Sequence, residues 1–190
     1  QAEVRARLGD PAWRAGLAGI RGAATGRDAQ AERQLRQALR RYPQEADFLG
    51  ALGLAVMHQG RRAEAIGWFQ SAARATKVDG QAAKWRDLAT SARYWLALQE
   101  ADAALDAGAY QRAETQYALA RRLDPAGVDA VLGQADLAVA RGDDAGAWTL
   151  LERARRLAPR EAEVARRQVA WLGRNAPERL ETFVADLPPA

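Results

Sequence analysis

Cysteine is absent from this 190-residue sequence, and histidine occurs once, as His58. The first absence excludes disulfides and thiolate metal sites, and the second leaves a histidine-based metal site without a second ligand. Missing thiols suit an oxidising compartment without fixing one. No run reaches the roughly 18 uncharged apolar residues that a membrane helix needs, and the opening residues QAEVRARLGDPAW are charged and unlike a signal peptide. The chain starts with Gln and not Met, which reads as a mature product or an excised segment, so the presence of a targeting signal stays open. β-Branched residues are sparse and scattered, so strands have little to be built from. Lysine is nearly missing as well: Lys77 and Lys84 are the two among 28 basic residues.

What is abundant is Ala, Leu, Arg, Glu and Gln, all good helix formers. With 48% hydrophobic residues the chain can bury a sizeable core, and an all-α protein is expected. The net charge is +4 and the isoelectric point near 9.9. Phosphate binding needs clustered cations, whereas acidic residues are interleaved with the arginines almost everywhere here. Nucleic acid is therefore excluded as a partner.

The sequence repeats itself. GAATGRDAQAERQLRQALRRYP laid over GLAVMHQGRRAEAIGWFQSAARATK puts Gly26 over Gly60, Ala31 over Ala65, Leu35 over Phe69 and Ala38 over Ala72, each 34 residues apart. DAGAYQRAETQYALARRLDP and ARGDDAGAWTLLERARRLAP align Gly108 with Gly142, Ala113 with Ala147, Tyr117 with Leu151, Ala120 with Ala154 and Pro125 with Pro159, again 34 apart. Glycine ends one helix where a positive φ is convenient, and proline follows the next helix, which it cannot continue. Small residues let two helices approach, and a large apolar residue four positions later fills the space beside them. Each unit is a helical hairpin that cannot bury its stripe alone, so neighbours stack into a solenoid. All the glycines are read as markers of helix ends.

The period, the A-x-x-x-F core and the closing proline resemble the tetratricopeptide repeat. Four repeats fall at about 12–45, 46–79, 94–127 and 128–161, with residues 162–190 adding the helix AEVARRQVAWLG and a shorter one, PERLETFVADL, opened by Pro177. The early aromatic position of the repeat is replaced by Ala15, Leu49, Ala97 and Val131, and repeat two carries Lys77 where proline belongs. The expected architecture is a right-handed superhelix of antiparallel helix pairs, in a first block 1–79 and a second block 94–190.

Gly60 and Gly108 are 48 residues apart, one period plus 14. The surplus, residues 80–93, leads into KWRDLATSARYWLALQE. Two structures fit: the first helix of repeat three is extended, or a separate helix starts near Gly80 and bends before Tyr94. Asp79 and Gly80 supply a start, and Trp85, Leu88, Ala92, Trp95 and Leu96 recur at helical spacing as one apolar face. Trp85, Leu88, Tyr94 and Trp95 are read as the packing of a joint at which the array turns or flexes.

The combination of Lys84-Trp85, Arg93-Tyr94-Trp95-Leu96 and Asp102-Ala103-Ala104-Leu105, with flanking segments from LGDPAWRAGLAGI through NAPERLETFVADLP, resembles the periplasmic portion of the bacterial cellulose synthase operon protein C family. The resemblance implies a periplasmic repeat array, joined in the full-length protein to an outer-membrane barrel that exports the glucan. It implies other cellulose synthase subunits as partners, with the glucan chain or peptidoglycan as further candidates.

No catalytic constellation or phosphate-cradling loop is found, so neither an enzyme nor a cofactor is expected. Asp143 and Asp144 follow Gly142 and are explained by helix capping. Binding is the expected role. The positions that face the groove in tetratricopeptide proteins are Trp13, Ile20, Asp47, Leu54, Met57, Trp95, Leu98, Asp102, Asp129, Leu132 and Asp136, giving a partly apolar, acidic surface. Gly50 and Leu54 stand where chaperone-type members place carboxylate-clamping residues. Docking of a partner protein on this groove is the expected mode of binding, and with the resemblance it implies a non-catalytic scaffold between the inner-membrane synthase and the export pore that also guides the glucan. Neutral glucan fits Trp95 with Asp102 and Asp136, by ring stacking and hydroxyl hydrogen bonds, and the alternatives are a direct carbohydrate-binding module and a generic tetratricopeptide adaptor that binds peptide segments.

Overall fold

The computed structural model describes residues 7–187, which are helical with no strand among them. The first hairpin is α1 (Pro11–Ala24) and α2 (Asp28–Leu39), the second α3 (Ala46–His58) and α4 (Arg62–Ala75). A 28-residue helix, α5 (Asp79–Asp106), pairs with α6 (Tyr110–Leu123). The last hairpin is α7 (Val128–Ala140) and α8 (Asp144–Leu157), followed by α9 (Ala162–Asn175), a 3-10 turn (Pro177–Arg179) and α10 (Leu180–Ala185). The chain forms two compact units, Gln1–Leu96 and Ala97–Ala190, whose division falls within α5.

The local signals act as the repeat requires. Gly26, Gly60, Gly108 and Gly142 all have φ between 69° and 80°, a region in which a side chain would be strained. The residue after each glycine donates its backbone N–H five positions back, Arg27 to Gly22, Arg61 to Val56, Ala109 to Ala104 and Asp143 to Ala138. Helix-terminal carbonyls are thereby satisfied. Asp10 caps α1 by accepting the Ala12 N–H at 2.8 Å, beside Pro11 at the first helical position. Asp143 caps α8 through the Gly146 N–H at 2.9 Å. Where Lys77 replaces proline, Thr76 stops α4 by turning extended, and its hydroxyl accepts the Val78 N–H.

The aligned core positions are all buried: Ala31, Leu35 and Ala38, then Ala65, Phe69 and Ala72, then Ala113, Tyr117 and Ala120, then Ala147, Leu151 and Ala154. Glycine does more than end helices, which corrects the expectation above. Gly19 and Gly53, 34 residues apart, lie inside α1 and α3, where a Cβ would stand 2.6 Å from Leu35 and from Phe69 of the same hairpin. Gly16 and Gly50, also 34 apart, would meet Phe48 at 2.3 Å and Trp85 at 2.2 Å, each ring belonging to the next hairpin. In the second unit a different pairing makes the same kind of seat, with the ring of Tyr117 2.1 Å from where a Cβ on Gly133 of the following hairpin would stand. The bulk of one helix is seated on the bare backbone of its neighbour.

α5 is a single helix across the insertion. Its buried residues are Ala82, Trp85, Ala89 and Ala92, then Tyr94, then Ala97, Leu98, Ala101 and Ala104. At about 100° per residue, Tyr94, Leu98 and Ala101 lie roughly half a turn around the helix from Trp85. One continuous apolar face through Trp85, Leu88, Ala92, Trp95 and Leu96 is therefore not what forms. Ala82 and Ala89 complete the first buried stripe, Leu88 and Leu96 are half-buried, and Trp95 is 48% exposed.

Two glycine substitutions separate these roles. Gly67 lies mid-α4, exposed and with nothing near a new Cβ, so Gly67→Ala is expected to stabilise by about 0.5–1 kcal/mol through helix propensity. Gly53→Ala gains the same propensity but drives a methyl into Phe69, and overpacking of about 1–3 kcal/mol outweighs it. Thermal melts of the two variants are expected to move in opposite directions.

Candidate binding surfaces

Some of the arginines that give the chain its basic character are engaged between helices, Arg36, Arg61, Arg141 and Arg167 among them. In the first unit Glu32 of α2 takes Arg36 at 3.0 Å and also pairs with Arg61, while Glu64 takes Arg36 at 2.7 Å and Arg61 at 2.8 Å. Gln59 donates to Glu32 and the Trp68 indole to Glu64. Burial raises the Glu32 pKa, but hydrogen bonds from Arg61, Gln59 and Arg36 outweigh it and hold the carboxyl below the usual range. His58 closes α3 with Nδ1 3.0 Å from Asp28. This lattice commits Arg36 and Arg61 to the packing of the first two hairpins. Among the described residues no cluster of three or more potential metal ligands forms, and no helix is long and apolar enough to cross a membrane.

The groove positions behave unequally. In the first unit Trp13 is held in a ring cluster, 5.2 Å from Tyr42 and 5.0 Å from Phe48. Ile20, Leu54 and Met57 are half-buried against the core, and Asp47 is exposed. Trp85 is buried, stacked on Phe69 at 6.3 Å with a 10° interplanar angle. Tyr94 is buried, with Trp95 edge-on to it at 5.2 Å. Trp95 alone of that pair offers its ring to solvent.

In the second unit Leu98 is only 6% exposed and Leu132 is also buried, so neither is available to a ligand. This corrects their assignment to an open face: Leu132 is packed into the core of the last hairpins, and Leu98 lies on a buried side of α5. Asp102 is exposed and accepts the Tyr117 hydroxyl at 2.7 Å. Burial first, then the hydrogen bond to Asp102 and the charges of Asp102, Asp136 and Asp106, push the Tyr117 pKa strongly upward, which keeps the phenol a proton donor to Asp102. Asp136 is half-buried and pairs with Arg167 at 3.0 Å, and Arg167 also pairs with Glu163. Asp129 is exposed. Of the acidic groups named from the sequence, Asp102 and Asp136 lie near Tyr117, and both already hold internal partners.

The tetratricopeptide repeat profile matches residues 23–79 and 98–162. The chain belongs to the tetratricopeptide-repeat family. It is 39% identical over 132 residues to cellulose synthase operon protein C of Escherichia coli strain K12, and 33% identical over 131 residues to cellulose synthase operon protein C of Salmonella typhimurium strain LT2. These alignments cover 70% and 69% of this chain and 11% of each relative, so the chain spans about a tenth of the curated relatives it matches. In fold it is similar to the solved structure of a MamA RS-1 ArsTM double mutant, with a TM-score of 0.55 at 17% identity, over 94% of this chain and 93% of that one.

Sequence reading missed one feature of this tetratricopeptide-repeat chain, an open cavity of about 560 Å³ in its second unit, lined by Trp148, Gln168, Arg179 and Phe183 among others. Its walls come from separate elements, and no single run of residues announces them. The two tryptophans of the insertion separate by experiment. Trp85→Ala is expected to cost about 3–5 kcal/mol, as loss of a buried aromatic does, whereas Trp95→Ala lowers the denaturation midpoint little because its ring is half in water. Equal losses in chemical denaturation would contradict that division.

Proposed function

We propose that this chain is a segment of the periplasmic repeat array of a cellulose synthase operon protein C, acting without catalysis as a scaffold between the inner-membrane synthase and the outer-membrane export pore. The observation that carries the reading is the 39% identity to that protein over 70% of the chain, with a fold whose stacked helices present side chains for docking. The array would hold other cellulose synthase subunits and keep the emerging glucan on course. The insertion that produces α5 serves in this reading as the joint between repeat blocks, with Trp85, Leu88 and Tyr94 as its packing. Leu54 and Met57 remain groove candidates for protein contact.

A second reading, direct contact with glucan, draws on one observation, the exposed Trp95 ring one face of α5 away from the buried stripe. Sugar rings stack on such surfaces, and Asp102 lies seven residues on, on the same side of the helix. Asp136 would take part only by giving up Arg167.

The scaffold reading is tested by removing this segment from the full-length protein in a cellulose-producing Gram-negative bacterium. Export of glucan to the cell surface is expected to fall, with glucan synthesis by isolated inner membranes unchanged; undiminished export would overturn it. The glucan reading is tested with cellohexaose, by following indole NMR signals. A saturable shift of Trp95 that disappears in Trp95→Ala supports it, and no shift at millimolar sugar removes it.

A further inference from the structure

In α8, Trp148, Glu152, Arg155 and Arg156 recur at spacings of four, three and one, so that they share one side of the helix. Together with Pro159, Gln168 of α9, Arg179 of the 3-10 turn and Phe183 of α10, they line the open cavity of about 560 Å³ within the second unit. That size is in the range of ligand-holding clefts. The aromatic rings do not face it bare. The Arg155 guanidinium lies 4.9 Å from the centroid of Phe183, and Arg179 lies 5.4 Å from that of Trp148. Trp148 is further tilted against Trp171 at 4.7 Å. Cation–π contact of this kind fixes a guanidinium without neutralising it.

Two unmet demands converge here. Among the described residues, Arg155, Arg156 and Arg179 have no carboxylate at ion-pair distance, and Glu152 is the single acidic group in the lining. Gln168 is 1% exposed, and its Oε1 has no hydrogen-bond partner. A buried acceptor left unmet costs about 1–3 kcal/mol, and such groups in folded proteins call for an explanation. Gln168 lines the cavity, and the last torsion of a glutamine is broad, so its amide is free to turn this acceptor toward a ligand there.

We propose that this cavity docks an acidic segment of a partner protein, whose carboxylate is taken by Arg155 and Arg179 and whose backbone N–H is accepted by Gln168. Planar guanidiniums already fixed in orientation bind a carboxylate with two parallel hydrogen bonds and lose little entropy in doing so. The lining carries three cations against one carboxylate, so the complementary charge is negative. A saccharide is the poorer occupant, because a pyranose needs an open aromatic face and both rings here are covered by guanidinium. The inference rests on the reading of the chain as a docking scaffold and names the chemistry of one docked partner.

The probe is a blocked hexapeptide of alternating glutamate and glycine, titrated into the whole chain while the Trp148 indole N–H signal, assigned by its loss in Trp148→Phe, is followed by NMR. A saturable shift is expected, weakened at least tenfold in the Arg155→Gln, Arg179→Gln double variant and by raised salt. Gln168→Leu is expected to weaken binding while its melting temperature holds or rises, since an unmet polar group has been removed. The exposed Arg156→Gln gives a milder loss and serves if the double variant melts early. No saturable shift, equal binding of the matched glutamine–glycine peptide, or tighter binding of trigalacturonate would each overturn the proposal. Such a failure leaves glucan export on deletion of the segment unaffected, so the two readings fall separately.

Discussion

A large ring seated on a glycine is the contact on which the packing of this chain depends. Helices come this close only where one of them lacks a Cβ, and the second helix then supplies the bulk that fills the space. Gly19 with Leu35 and Gly53 with Phe69 lock each of the first two hairpins internally, while Gly16 with Phe48 and Gly50 with Trp85 lock each to the next. Alanine at the other contact positions, buried and without rotamer entropy to lose, serves the same geometry with slightly more room. The caps and positive-φ glycines end the helices on time, but the seats set how closely they pack.

The long helix follows from the same rule. Trp85 is seated on Gly50 and stacked on Phe69, so the start of α5 is held by the first unit's core. Past Tyr94 the buried residues are Ala97, Leu98, Ala101 and Ala104, and Tyr117 is anchored to the same helix through Asp102. Inserting 14 residues between periods allows a single helix to change its buried side along its length. It also leaves Trp95 in water, where a strictly periodic repeat would have had no reason to place it.

Much of this was legible in the sequence. The 34-residue spacing located the hairpins, the left-handed glycines and the small-x-x-x-large core, because those features depend on local backbone geometry and on the helical period. The seats were missed although Gly16 and Gly19 recur as Gly50 and Gly53, a visible signal that was read as helix-end punctuation. Burial of Leu98 was not legible, since a face drawn at fixed spacing assumes that a helix buries one side throughout, and for Trp95 spacing alone did not separate a place on the groove from a place in the joint packing. The cavity formed by α8, α9 and α10 escaped for a different reason: Trp148, Gln168, Arg179 and Phe183 are brought together by tertiary packing alone, and ordinary-looking residues become a site only through the unmet acceptor of Gln168 and guanidiniums fixed over rings.

Family membership rests on that repeat geometry, and the functional reading adds to it a surface chemistry in which some cations, Arg36, Arg61 and Arg167 among them, are already paired with carboxylates of neighbouring helices. All of it presupposes that the ring-on-glycine seats hold the hairpins in register, which a double-mutant cycle between Gly53→Ala and Phe69→Leu measures directly. If the seat is the constraint, shortening the ring relieves the clash and the two changes are strongly non-additive, with a coupling of about 1 kcal/mol or more in favour of the double variant. Simple additivity of the two destabilisations would contradict it.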